Sequence, residues 1–112
     1  MNFGLSKTQK VMMIKTNYPQ SNEILFLRGD INYTEFHLVD GKKIVSSSTL
    51  LKHQEKLISF LRVSKSHLVN PAFVKVLMHQ GCYASIILTD GSEFKISRRR
   101  ILSVKGKFSV NL

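Results

Sequence analysis

Cysteine is nearly absent from this sequence, and its scarcity limits the chemistry available to the protein. Cys82 is the only one, so no disulfide can form within the chain, which fits a reducing cytoplasm. No apolar run approaches the roughly 18 residues that a membrane-spanning helix needs. Residues 1–10 also lack the apolar centre of a secretory signal. We therefore expect a cytoplasmic protein with no membrane partner.

Acidic residues are also few, and their distribution is uneven. The chain has 17 Lys and Arg against seven Asp and Glu, a formal net charge of +10. Residues 1–55 contain seven basic and five acidic side chains, whereas residues 56–112 contain ten basic ones and only Asp90 and Glu93. This asymmetry favours a surface directed at a polyanion, and the largest cytoplasmic polyanions are nucleic acids. A generally basic, solvated surface is the plainer alternative.

Side chains suited to catalysis or metal binding are scattered along the chain. The four histidines are His37, His53, His67 and His79. None has a cysteine or carboxylate at ligand spacing. The sequence contains no glycine-rich phosphate loop, no nucleophile elbow and no paired acids, and Cys82 has no basic neighbours in sequence. We therefore expect no enzymatic activity, metal, cofactor or small-molecule substrate.

Short β-forming runs between Gly, Asn and Pro positions predict a mainly β fold of small antiparallel sheets in one domain. The predicted strands are residues 11–16, 23–27, 31–39, 42–46, 60–63, 66–70, 73–78, 83–89 and 93–96. Asp40-Gly41 and Asp90-Gly91 predict hairpins, the former with a two-residue turn, and residues 79–81 predict another.

One short helix is predicted near residues 48–58, capped by Ser48. Apolar residues at helical spacing support it. They are Leu50, Leu51, Leu57 and Ile58. A second short helix is a candidate at residues 97–104. We divide the chain into an N-terminal extension at 1–22, a domain at 23–104 and a tail at 105–112.

The most informative stretch is the run Arg98, Arg99 and Arg100, which follows Lys95 at the end of a predicted strand. Guanidinium groups match phosphate oxygens and guanine edges with two parallel hydrogen bonds. Three consecutive arginines cannot all stack on the protein's own core. The run therefore predicts an exposed cationic site that binds DNA.

A second polar patch is formed by Ser64, Lys65 and Ser66 between two predicted strands. A lysine flanked by hydroxyls suits contact with phosphates or base edges, although an ordinary solvated turn has the same composition. Arg62 and Asn70, on either side, are at least as well suited to internal hydrogen bonds as to ligand contacts.

A third, weaker patch contains Asn32 and Tyr33. An asparagine can read an adenine edge, and a tyrosine can donate a hydrogen bond or pack on a sugar. Turns commonly contain such residues for purely structural reasons. The patch gains meaning only beside the other two.

These three patches, in this order, resemble the LytTR family of bacterial DNA-binding domains over residues 23–104. The matching stretches are EILFL at 23–27, GDINYT at 29–34, HLVDGKK at 37–43, FLRVSKSHLVN at 60–70, and DG at 90–91 leading to ISRR at 96–99. The resemblance implies small antiparallel sheets, one short helix, and loops that enter successive major grooves. It places base-facing positions near Tyr33, at Lys65 and at Arg98. It implies neighbouring DNA contacts at Asn32, Ser64, Ser66 and Arg99.

The sequence departs from the family pattern in two ways. Family members often have histidine where Ser64 stands and an aromatic residue where His67 stands, which affects base preference at the central loop. They usually carry an upstream receiver domain with a phosphorylated aspartate. The 22 residues before the match are too few for such a domain, so we expect no phosphorylation control within this sequence.

We therefore predict a bacterial transcriptional regulator, or its DNA-binding domain, that recognises specific double-stranded DNA, with a homodimer on paired half-sites as a further expectation. Base contacts are predicted for Asn32, Tyr33, Lys65 and Arg98. Phosphate contacts are predicted for Ser66, Lys95, Arg99 and Arg100. One alternative is an RNA-binding or single-strand-binding β module, which would need aromatic side chains grouped on one strand face. Another is an antagonist of a related regulator that does not itself bind DNA.

Overall fold

Short antiparallel strands make up most of the fold in the computed structural model, which describes residues 19–110. The strands are β1 (Ile24–Gly29), β2 (Thr34–Leu38), β3 (Lys43–Ser46), β4 (Leu61–Ser64), β5 (His67–Val69), β6 (Val74–Gln80), β7 (Tyr83–Leu88) and β8 (Glu93–Lys95). The helices are α1 (Leu50–Lys56) and α2 (Ile101–Val110). One-turn 3-10 helices lie at Ser21–Glu23, Pro71–Phe73 and Arg98–Arg100. The strand predicted at residues 11–16 lies outside the described residues.

Two sheets organise these strands. The first has five strands in the order β3-β2-β1-β5-β4, and the second has three in the order β6-β7-β8. Every pairing is antiparallel. The predicted mainly β fold of small antiparallel sheets is therefore confirmed.

The five-stranded sheet has a hydrophobic core on each face. Leu68 and Val69 are adjacent on β5 and belong to opposite cores, because successive side chains of a strand point to opposite faces. The core shared with α1 consists of Ile24, Leu27, Phe36, Leu50, Leu57, Phe60 and Leu68. The core shared with the second sheet and α2 consists of Leu61, Val63, Val69, Ala84, Ile86, Leu88, Ile96, Ile101 and Val104.

Both Asp-Gly hairpins are present, with a longer loop than predicted at the first. The Gly41 N–H donates to the Leu38 carbonyl (3.0 Å), and the Leu38 N–H donates to the Lys42 carbonyl (2.9 Å). The loop therefore contains the three residues 39–41. Gly41 has φ of 90°, which fits a three-residue loop with a left-handed residue last. The Asp90-Gly91 hairpin repeats this bonding pattern.

The cap of α1 differs from the prediction. Thr49, and not Ser48, is the N-cap, and its hydroxyl accepts from the Lys52 N–H at 3.4 Å. The carbonyl of Ser48 instead accepts a hydrogen bond from the buried Thr34 hydroxyl at 2.8 Å. Because Ser48 is tied to β2 in this way, the helix begins one residue later.

The buried face of α1 also differs. Leu51 and Ile58, two of the four apolar positions used to predict the helix, are 56% and 74% exposed. His53 is buried instead, with 4% exposure. The helix ends at Lys56, and the Leu57 N–H closes it by donating to the His53 carbonyl at 2.9 Å. Positions 50, 53 and 57 share one face of so short a helix, which explains why His53, and not Leu51, lies on the buried side.

The C-terminal helix is confirmed, but it lies further along the chain than the predicted 97–104. It begins after the 3-10 turn and continues to residue 110. Ile101, Val104 and Phe108 recur at helical spacing and pack against the second core. Burial of this apolar face explains why the helix continues beyond the predicted end.

Candidate nucleic-acid interface

The first loop, residues 30–33, connects β1 to β2. The Asp30 N–H donates to the Tyr33 carbonyl at 2.8 Å, and the Asp30 carboxylate accepts from the Ile31 N–H at 2.7 Å. These bonds close a turn where the sequence predicted the start of a strand at 31–39. The strand begins three residues later, at Thr34, and the side chains at positions 30–33 are exposed.

Both predicted contact residues of the first loop are accessible. Asn32 is exposed and Tyr33 is 38% exposed. Thr34, the next residue, is fully buried and anchors the loop through its bond to Ser48. The loop therefore combines an anchored end with polar side chains open to solvent.

The central turn, residues 65–66, joins β4 to β5 and is held by Arg62. The Arg62 Nε donates to the Ser64 carbonyl at 2.7 Å, and its Nη2 donates to the Lys65 carbonyl at 2.6 Å. Its Nη1 donates to the Gln54 side-chain oxygen at 2.5 Å. The guanidinium thus fixes the backbone from which the exposed Lys65 projects.

His67 lies behind the central turn. Its Nδ1 is 3.2 Å from the Ser64 hydroxyl and 3.4 Å from the Ser66 hydroxyl. The ring lies with its centroid 5.1 Å from that of Phe94. Burial lowers the pKa of His67 below its ordinary value, and the positive charge of Arg28 acts in the same direction. His67 therefore favours the neutral form beside the two predicted contact serines.

The arginine turn, Arg98–Arg100, is the 3-10 helix before α2. Its first two side chains are exposed, and Arg100 is partly buried. The Arg100 N–H donates to the Ser97 carbonyl at 2.9 Å, closing the turn. The pKa of Arg62 is lowered first by burial and second by the positive charge of Arg100. The charge of Arg100 is therefore close enough to act on Arg62, the residue that holds the central turn.

Backbone hydrogen bonds connect the three turns. The Gly29 N–H, at the start of the first loop, donates to the Ser66 carbonyl of the central turn at 2.7 Å. The Ser97 N–H, just before the arginine turn, donates to the Val63 carbonyl of β4 at 2.8 Å. β4 and its turn therefore stand between the first loop and the arginine turn.

The cations of the central and arginine turns are not in the ion pairs found within residues 19–110. Those pairs join Arg28, His37 and Lys43 to Glu35, and Lys42 to Asp40. Lys65 and the three arginines take part in none of them. Their charge is consequently available to an external anion.

Lys95 lies elsewhere. Its ammonium group stands over the ring of Tyr83, 5.1 Å from the ring centroid. The two side chains line a groove of about 360 Å³ together with Met78, Gln80 and Glu93. Lys95 therefore belongs to the outer face of the three-stranded sheet, and its predicted phosphate contact stays a prediction.

The three turns together can supply hydrogen-bond donors and positive charge over one region. Lysine and arginine donors suit phosphate oxygens and guanine edges, whereas an asparagine side chain suits adenine. Such a set is chemically suited to binding a nucleic acid.

The sequence matches the model of the LytTr DNA-binding domain over residues 11–109. The chain belongs to the LytTR family of DNA-binding domains. No curated protein matches the sequence.

A solved structure shares the fold of this LytTR domain. It is described as the LytTr DNA-binding domain of a methyl-accepting/DNA response regulator from Bacillus cereus. The TM-score is 0.69 at 15% sequence identity, and the similarity covers 80% of this chain and 84% of the other. Within residues 19–110, no helix of this LytTR domain is both long and apolar enough to cross a membrane.

Sequence patterns identify only some of the residues that shape the interface. Arg62 and Asn70 do make the internal hydrogen bonds considered for them. Asn70 donates to the Ser21 and Ile24 carbonyls at 2.8 and 2.7 Å. The role of Gln54 as the partner of Arg62 was missed, because a single glutamine on a helix carries no distinguishing signal.

Proposed function

We propose that this LytTR domain binds double-stranded DNA of a specific sequence and regulates transcription, with its three turns entering the major groove. The connection between the turns carries this proposal. Gly29 is bonded to Ser66, and Ser97 to Val63, through backbone groups. A rigid sheet therefore spaces the turns, as recognition of a regular double helix requires.

Base contacts are proposed for the most accessible donors. Lys65 and Arg98 are exposed at the central and arginine turns, and Arg98 favours guanine because a guanidinium matches its O6 and N7 atoms. Asn32 and Tyr33 are proposed to contact bases from the first loop. These four residues account for sequence preference in the proposal.

Phosphate contacts are proposed for neighbouring residues. Arg99 and Arg100 directly follow Arg98, the proposed guanine reader, and Ser66 follows Lys65. Contacts of this type set the position of a protein on the duplex without reading its sequence. Ser64 is also proposed to contact DNA, from the end of β4, where its hydroxyl lies 3.2 Å from the Nδ1 of His67.

The distribution of aromatic side chains favours duplex over single-stranded nucleic acid. Tyr33 is 38% exposed on the first loop, and Tyr83 is 65% exposed on the second sheet. Phe36 is fully buried. Stacking platforms for unpaired bases need several accessible aromatic rings together, and these three rings do not provide one.

Selection of bound duplexes from a random pool tests the proposal. We expect one enriched motif, and two copies separated by about one helical turn would support a homodimer on paired half-sites. The enriched duplex should outcompete each of its separated strands. A separated strand that outcompetes the duplex would favour the RNA-binding or single-strand-binding module. A mixed oligomer with a related regulator in the absence of DNA binding would favour the antagonist.

A further inference from the structure

Ile31 is the most exposed large hydrophobic residue among those the structure describes, with 85% exposure. Isolated apolar side chains are common on protein surfaces and usually need no explanation. The position of Ile31 is different, because it lies within the first loop, immediately before the proposed base-contacting Asn32. A polar side chain at this exposed position would be hydrated more favourably than isoleucine.

The first loop presents Ile31 from an anchored backbone. Its N–H donates to the Asp30 carboxylate at 2.7 Å. One end of the loop is fixed by the Gly29–Ser66 backbone bond of 2.7 Å, and the other by the buried Thr34. Because the loop is already held in place, less conformational entropy is lost when this side chain packs against a ligand.

Ile31 also faces the same space as the central turn. It lines a cleft of about 410 Å³ that is bordered by Leu51, Arg62, Lys65 and Ser66. Leu51 is itself 56% exposed. A ligand that fills this cleft therefore meets two apolar side chains beside a lysine donor and beside Asp30, whose carboxylate accepts from the Ile31 N–H.

In the major groove, the thymine C5-methyl is an apolar group that aliphatic side chains contact. We infer that Ile31 is a specificity-determining residue that packs on a thymine methyl in the bound duplex. The neighbouring Asn32 can pair with an adenine edge, so the first loop is suited to an A·T base pair. This inference rests on the proposed function and adds to it a preference for thymine at one position, read through apolar contact.

Deoxyuridine substitution tests the inference, because uracil differs from thymine only by the missing methyl group. In the enriched duplex, each thymine is replaced in turn, and affinity is measured for the wild-type chain and for Ile31→Ala. One replacement should weaken wild-type binding about fourfold, the effect expected for losing one buried methyl. The same replacement should change Ile31→Ala binding by less than about twofold.

Ile58→Ala is the matched control. Ile58 is 74% exposed and precedes β4, whereas the central turn follows that strand. This variant should keep the fourfold penalty for uracil. Since both residues are exposed, equal unfolding midpoints of the two variants should confirm intact folds.

Two results would overturn the inference while leaving specific DNA binding intact. One is an enriched duplex in which no thymine-to-uracil change weakens wild-type binding. The other is a penalty of the same size in Ile31→Ala as in the wild type. If selection enriches no duplex at all, the proposed function fails first, and the inference fails with it.

Discussion

Arg98 is the side chain proposed to contact guanine. It is exposed at the start of the arginine turn and belongs to none of the ion pairs within residues 19–110. A guanidinium with free donors can bind either a guanine edge or a phosphate. The two roles differ in whether the contact distinguishes one base from another.

Arg98→Ala should weaken binding to the enriched duplex by about 1–3 kcal/mol and relax preference at one base pair. Affinities for the duplex and for its single-base variants measure both effects. Lys75→Ala is the control, because it removes one exposed positive charge from β6. An equal loss of affinity on every duplex would instead identify Arg98 as a phosphate contact.

His53 determines a pH response at the residue scale. Burial, assisted by the charge of Lys56, lowers its pKa from 6.5 to about 4. Its Nε2 lies 2.8 Å from the Ser46 hydroxyl, and its ring meets the edge of Phe36. Between the two pKa values, the unfolded chain binds a proton that the folded chain excludes. The free energy of unfolding should therefore fall as the pH decreases from about 6.5 to about 4.

Between pH 7.5 and pH 4.5, the His53 contribution to this loss should be roughly 2 kcal/mol. Urea unfolding at pH 7.5 and pH 4.5 measures it, and His53→Gln should show a smaller difference between the two. Some dependence should remain, because burial also lowers the pKa of His37 and His67. His79→Gln, at an exposed position, is the control; a similar reduction there would argue against the buried origin of the effect.

At the scale of elements, the contact between β1 and α1 positions the first loop. Gly29 ends β1, and a Cβ built on it would lie 2.8 Å from the Cβ of Leu50. Such a distance forces one element to move. The absence of a side chain at Gly29 therefore lets the helix approach the strand that leads into the loop.

Gly29→Ala should reduce the free energy of unfolding by about 1–3 kcal/mol, because the added methyl overpacks this contact. Gly106→Ala is the matched control in α2, where an added Cβ meets no atom within 4 Å. That change should stabilise the protein by roughly 0.5–1 kcal/mol through helix propensity. Urea unfolding of both variants measures the contrast, and equal stabilities would mean that α1 shifts without cost.

At the scale of the whole molecule, net charge sets the strength of non-specific attraction. The chain carries a formal charge of +10, mostly from its second half. That half supplies the central and arginine turns. Long-range attraction to a polyanion and short-range base contact are therefore properties of the same region.

Salt should weaken binding strongly. If about six phosphates are neutralised, log affinity should fall against log salt concentration with a slope near −5, because condensed counterions are released. Titrations of the enriched duplex at several salt concentrations measure this slope. Arg99→Ala should reduce its magnitude by about 1. A flat salt profile in the wild type would be incompatible with the proposed interface.

The sequence by itself determined the features that depend on residues adjacent in the chain. The Asp40-Gly41 and Asp90-Gly91 hairpins follow from local backbone preferences, and the strands follow from β-forming runs between turn residues. The exposure of Arg98 and Arg99 follows from the cost of burying adjacent guanidinium groups. The helix predicted near 48–58 is present at 50–56, but its buried face was only partly predicted, because so short a segment gives an ambiguous period.

Only the tertiary structure decided how the three turns are joined. The bonds between Gly29 and Ser66, and between Ser97 and Val63, link residues that are far apart in sequence, so no local pattern reports them. The role of Arg62 in holding the central turn is likewise visible only from the hydrogen bonds that its guanidinium makes in the fold. Separate turns become a candidate interface because a sheet brings distant backbone groups within hydrogen-bonding distance.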